Sequence, residues 1–146
     1  MPAPAAPTPV MTAAELAAYL DEVFPQIAEG GDNISVESVE PGRATVRLMT
    51  GEKHLRPGGT VSGPTMFMLA DVSAYAVILA HIGRVALAVT TNLNINFLMK
   101  PAPGPLFGEA RILKSGKRLI VTDIAITDHD DTLVAHATAT YSVPPR

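Results

Sequence analysis

A chain of 146 residues is one domain's worth, long enough to bury a real core and short of two comfortable ones. With 47% hydrophobic residues, 17% charged and a formal net charge of -3, it is neither disordered nor broadly basic, which excludes long-range attraction to nucleic acid. The absence of cysteine removes disulfide frameworks, thiolate metal sites and cysteine nucleophiles together, and it agrees with a reducing cytoplasm.

The opening "MPAPAAPTPV" has no basic residue and too many prolines for the apolar centre of a secretion signal. Residues 1–10 therefore read as a disordered or loosely packed leader, followed by a single domain over 11–146. In "MTAAELAAYLDEVFPQIAEGG", Thr12 is a helix cap with Glu15 three residues on. Leu16, Leu20, Val23 and Phe24 follow at helical spacing, and Gly30-Gly31 stops the run. "NISVESVEPG" and "RATVRLMTG" alternate apolar and polar residues around Pro41-Gly42, which predicts a two-stranded hairpin with one buried face.

A polar, glycine-rich loop, "GEKHLRPGGTVSG", leads into an apolar run that Pro64 can open as a helix and that ends near Gly83. The stretch 64–82 is about as long as a membrane span, but it carries Asp71 and Ser73 and lacks basic flanks on one side. It reads as a buried helix of a soluble protein, not a transmembrane one. "VALAVTTNLNINFLMK", "PLFGEARILKSGK", "RLIVTDIAITDHD" and "TLVAHATATYSVP" are four more strand-like runs, separated by turn signals short enough to imply antiparallel pairing. A helix apolar all round must be covered all round. The expectation is an α+β fold, a curved antiparallel six-stranded sheet wrapped around one long central helix, with a minor N-terminal helix beside it.

Chemistry converges on the start of the long helix. Backbone amides at Ser62-Gly63-Pro64 point outward with partial positive charge and can hold an anion or a developing oxyanion. Asp71, eight residues after Gly63, is partly desolvated on an apolar helix, which suits base or nucleophile work; a structural carboxylate at a subunit interface is the other reading. Thr90, Asn92, Asn94 and Asn96 alternate along one strand and offer a polar face beside the helix. Ser62 by itself reads as an ordinary helix cap. His54, His81, His129 and His136 show neither metal-ligand spacing nor a motif pairing any of them with Ser62, so no metal and no cofactor is expected.

The run "GGTVSGPTMFMLAD", with "VTTNLNINFLMKPAPG", "ARILKSGKRLIVTDIAITD" and "TLVAHATATYSV", resembles the hotdog-fold acyl-CoA thioesterases of the phenylacetate-degradation type, over about residues 33–143. In that family a His-Gly-Gly opens the central helix and a Leu-Ala-Asp or Leu-Ala-Glu follows at fixed distance. Ser62-Gly63-Pro64 and Leu69-Ala70-Asp71 stand at the corresponding places. The resemblance implies that Asp71 is the general base or nucleophile toward a thioester carbonyl. It also implies that the Gly63 amide polarises the carbonyl oxygen across a dimer interface, and that the Thr90 hydroxyl sits near the carboxylate or its water.

Ser62, which the resemblance makes a candidate catalytic residue beside Asp71, Gly63 and Thr90, stands where the family has histidine, Arg56 where it has a loop asparagine, and Pro64 in place of a second glycine, which removes one amide donor. Arg56, Gly59 and Pro64 complete the loop and helix start expected against the ester. The phosphates of coenzyme A fall to Lys114, Lys117 and Arg118 around the Ser115-Gly116 turn, with Lys100 nearby; a charged hairpin tip guarding a strand edge is the plainer reading. Met66, Phe67, Met68 and Tyr75 are either core or the lining of an acyl pocket.

The function expected is therefore hydrolysis of an acyl-CoA by a homodimer, with pairing into a dimer of dimers left open. A non-catalytic acyl-CoA-binding module is the alternative. A dehydratase of the same fold is a further one, and its histidine-plus-carboxylate motif is not found.

Overall fold

A computed structural model describes residues 6–146, so half of the expected leader lies outside the described residues. Of the other half, Val10 donates its backbone N–H to the Ala80 carbonyl at 2.7 Å. Thr12 and Glu15 form a reciprocal capping box that opens α1 (Ala13–Val23), which buries Leu16, Tyr19 and Leu20. The helix stops before Phe24, where its expected periodicity would have continued, because Pro25 disfavours helical geometry in the residue ahead of it. Phe24 takes φ -144° and ψ 57°, and a single 3-10 turn follows at Pro25–Ile27.

β1 (Ile34–Glu40) and β2 (Arg43–Met49) form the expected hairpin. α2 (Gly63–Ile82) runs from a Ser62 cap to a Gly83 cap. Then come β3 (Val89–Phe97), β4 (Pro105–Ser115), β5 (Leu119–Thr127) and β6 (Leu133–Ser142). All pairs are antiparallel, in the order β1-β2-β4-β5-β6-β3. One expectation fails: the connection through Pro101–Gly104 is no hairpin. It sends β3 to the far edge beside β6, while β4 crosses to pair with β2.

The sheet curls around α2, whose Leu69, Val77, Ile78 and Leu79 are fully buried against Val46, Leu48, Leu106, Ile120, Ile124 and Ile126. Although α2 has the length and composition of a membrane span, it is the core helix of this domain. β4 approaches it closely only because position 108 has no side chain. A Cβ on Gly108 would collide with the Ser73 hydroxyl and lie 3.1 Å from the Ser73 Cβ, and that hydroxyl is itself committed to the Leu69 carbonyl at 2.6 Å. Gly108→Ala should destabilise the fold by about 1–3 kcal/mol in chemical denaturation, the range for overpacking, and Ser73→Ala in the same chain should recover part of that loss.

The two sheet edges differ. β1 carries Glu37 and Glu40, bulges between Val36 and Ser38 and is flanked by α1. β3 has no charge and no proline, and Val89, Thr90, Asn92, Asn94, Asn96 and Phe97 are exposed along it. Such an edge presents free backbone donors and acceptors to another strand.

Candidate active site

Asp71 lies in the middle of α2, half-buried where its neighbours in the helix are buried. Its Oδ1 accepts two short hydrogen bonds, from the Thr90 hydroxyl at 2.6 Å and from the Tyr141 hydroxyl at 2.7 Å. The contact with Thr90 depends on a register slip between Thr90 and Asn92, which sets Thr90 opposite Tyr141 on β6. Beyond the slip, Leu93, Ile95 and Phe97 face the buried Ala139, Ala137 and Ala135. Asn92, Asn94 and Asn96 therefore oppose Thr140, Thr138 and His136 on the other face of the sheet. The polar face expected beside the helix reduces to Thr90 alone.

Beside the carboxylate is a cavity of about 620 Å³ whose apolar wall includes Val23, Phe24, Ile27, Met68, Val72 and Tyr75. Tyr75 is tied by its hydroxyl to the Ala86 carbonyl at 2.8 Å, stacks on Tyr141 with centroids 6.1 Å apart, and meets Phe24 edge-on. Tyr141 itself is 3% exposed. Burial first, and then the neighbouring Asp71 charge, push its phenol far above the ordinary tyrosine range, so it stays a proton donor. Of the four residues expected to be core or acyl lining, Met68 and Tyr75 line this cavity, Met66 is buried elsewhere and Phe67 is exposed.

Gly63 is not in this cavity. Eight residues of helix separate it from Asp71, about 12 Å along the axis. It lies instead in a groove of about 350 Å³ with Arg56, Met66, Phe97 and Lys100. Its amide has no acceptor among the described residues. Ser62 does what a cap does: its Oγ accepts the Thr65 N–H at 3.2 Å and lies 2.8 Å from the Thr65 hydroxyl, so it is occupied at the helix start. Pro64 is exposed in the first turn.

The loop ahead of the helix is pinned by His54, which the sequence reading set aside. Its buried Nδ1 accepts the Gly51 N–H at 2.8 Å, and its carbonyl accepts the Ser62 N–H and the Thr65 hydroxyl. Burial pushes this imidazole below the usual histidine range, so it is held neutral. Arg56 and Gly59 form the tip of that loop, closed by the Gly59 N–H to the Arg56 carbonyl at 3.0 Å; a φ of +83° at Gly59 is strained for other residues.

The expected phosphate cations separate. Lys117 and Arg118 line a cavity of about 500 Å³ together with Arg146, which was not foreseen, and the Arg118 Nε is bonded to the Val143 carbonyl. Lys114 lines a different cavity, beside Arg43 and Arg111, just past a register slip between Ile112 and Lys114. Among the described residues no cluster of histidines and carboxylates could hold a metal ion.

Tyr141, the second hydroxyl donor to Asp71, is the side chain of this cluster not singled out from the sequence. The signal was present: along β6 the inward positions run Ala135, Ala137, Ala139 and then one large polar residue. Reading it requires knowing that β6 pairs with β3.

Against known proteins, the thioesterase superfamily profile matches residues 58–135. A candidate thioesterase from Silicibacter sp. TM1040 of known structure is 51% identical, with a TM-score of 0.86 over 94% of this chain and 95% of the other. A candidate esterase from Saccharolobus solfataricus is 36% identical over 75% of this chain and 73% of its own. A Streptococcus mutans protein solved with acetyl-CoA bound is 28% identical, with a TM-score of 0.70 over 78% of this chain and 90% of the other. With more than half the chain matched, and the wrapped helix and sheet in common, this protein belongs to the thioesterase superfamily and is a thioester hydrolase of the hotdog fold.

Proposed function

We propose that the protein is a cytoplasmic acyl-CoA thioesterase that releases a free acid and coenzyme A, with Asp71 as general base or nucleophile. The observation that carries this reading is the Asp71 carboxylate, held by Thr90 and Tyr141 at the wall of an apolar cavity. The acyl group fits that cavity, whose volume is in the range of small-molecule sites. Asp71 either takes a proton from the attacking water and passes it to the departing sulfur, or attacks the carbonyl itself to form an acyl anhydride that water then hydrolyses to the free acid and the restored carboxylate; in both routes the carbon–sulfur bond breaks and coenzyme A leaves as the thiol or thiolate.

The oxyanion donor comes from a second copy. Within one chain Gly63 is too far from Asp71 for both to meet one thioester carbonyl, and the uncharged β3 edge invites pairing with the same edge of another protomer. A two-fold pairing across β3 would bring the Gly63 groove of one protomer toward the Asp71 cavity of its partner, so the working unit is a homodimer. An amide fixed at a helix start needs no reorganisation as charge develops on the oxygen.

Release of thiol from short, medium and aromatic acyl-CoAs tests the reading; tight binding of coenzyme A esters without any release would replace it with the binding-module alternative. Lys117 and Arg118 are the candidates for the nucleotide phosphates. The double variant Lys117→Ala/Arg118→Ala should raise KM for acyl-CoA about tenfold while leaving KM for a truncated thioester unchanged, and equal effects on both would refute the phosphate role.

A further inference from the structure

The two oxygens of Asp71 are not equivalent. Oδ1 takes both the Thr90 and Tyr141 hydroxyls, at 2.6 and 2.7 Å, whereas Oδ2 has no partner among the described residues. The Tyr141 hydroxyl also lies 3.0 Å from the Asp71 backbone carbonyl, so it touches the side chain and the main chain of the same residue. That phenol cannot drift, because its ring is buried and stacked on Tyr75, whose own hydroxyl is anchored. Two donors on one oxygen fix the carboxylate's rotation and draw negative charge toward that side, leaving the other oxygen the freer lone pair.

We infer that Tyr141 is a positioning residue of this site: it locks the Asp71 carboxylate through Oδ1, so that Oδ2 is the atom that meets the attacking water or the thioester carbonyl. The inference rests on the thioesterase reading for its chemistry, though the lock itself exists in the free protein. The other titratable groups lining the cavity among the described residues are Asp32 and Tyr75, and no cation lines it, so the two hydroxyls are the groups that stabilise the charged carboxylate there.

Tyr141→Phe keeps the ring and its stack and removes only the hydroxyl. The expected result is a roughly tenfold fall in kcat with KM within about twofold, at a melting temperature close to wild type. The acid limb of the kcat/KM profile should move to higher pH, because the carboxylate loses a donor to its charged form. Replacing Tyr141 by 3-fluorotyrosine, a more acidic phenol with the same ring, should move that limb the other way, which keeps the test open should the phenylalanine variant not fold. Carbon-13 NMR of the Asp71 carboxyl in the unliganded protein should report displacements of the same two signs. Unchanged kcat and an unmoved limb in Tyr141→Phe would overturn the inference, as would a carboxyl signal indifferent to both substitutions. A wild type that releases no thiol sinks the thioesterase reading alone, and the carboxyl signal then still decides the lock.

Discussion

Asp71→Asn should lower kcat for acyl-CoA hydrolysis by about 10²–10⁴-fold, the range for removing a general base, while the fold and the affinity for coenzyme A survive. The substitution is isosteric. An asparagine carbonyl can take the place of Oδ1 and accept from both Thr90 and Tyr141, so the hydrogen bonds that anchor the side chain persist. What changes is the other branch, where an amide nitrogen replaces an oxygen that could take a proton or attack carbon. Stability should therefore stay within about 1 kcal/mol of wild type, as judged by thermal melting beside the thiol-release assay. Turnover within tenfold of wild type would mean that Asp71 is structural, and the mechanism would have to move elsewhere.

Gly63→Pro should cost about 10²–10³-fold in kcat, because it deletes the backbone donor; Pro64 disfavours helical geometry in a non-glycine residue ahead of it, so thermal melting beside the assay checks that the helix start survives. Proline is tolerated at the first helical position, and Ser62 already has the extended geometry, φ -74° and ψ 154°, that a following proline demands. A Cβ at position 63 would lie 3.4 Å from the Phe97 ring, an ordinary contact. If each site draws Gly63 from one protomer and Asp71 from its partner, this variant has an informative companion. Mixing it with Asp71→Asn and letting subunits exchange produces heterodimers in which one of the two sites is intact. Random exchange makes roughly half of the dimers mixed, so two inactive preparations should recover roughly a quarter of wild-type activity. No recovery despite verified exchange would overturn the shared site and, with it, the role of the Gly63 amide as the donor opposite Asp71.

Elements set by local periodicity were legible in the sequence: the capping box at Thr12, the alternation of β1 and β2, and the all-round apolarity of α2 that forces a sheet to wrap it. Asp71 and Thr90 could be singled out from residue type and family resemblance. What sequence did not carry was long-range register. Pro101–Gly104 has the composition of a hairpin turn, yet it makes a crossover, because β3 finds its partner in β6, the last strand of the chain, and not in its neighbour. The slip after Thr90 depends on that pairing, and it alone decides that Thr90 turns toward the carboxylate while three asparagines turn away. Tyr141 was hidden for the same reason. Phe24 was misplaced by a local effect, the proline that follows it, which ended the helix and freed its ring to reach Tyr75.

That proline break has an evolutionary corollary. Val23, Phe24 and Ile27, which form one side of the cavity, come from an appendage that no strand of the sheet requires for its own pairing. On the proposed function, lengthening, shortening or repacking the appendage would retune which acids are accepted without altering the helix that carries the carboxylate, and Phe24, through Tyr75, is its aromatic link to the Tyr141 donor. On that reading selectivity and reactivity meet through this aromatic contact, and descendants of such a protein could change diet without relearning chemistry.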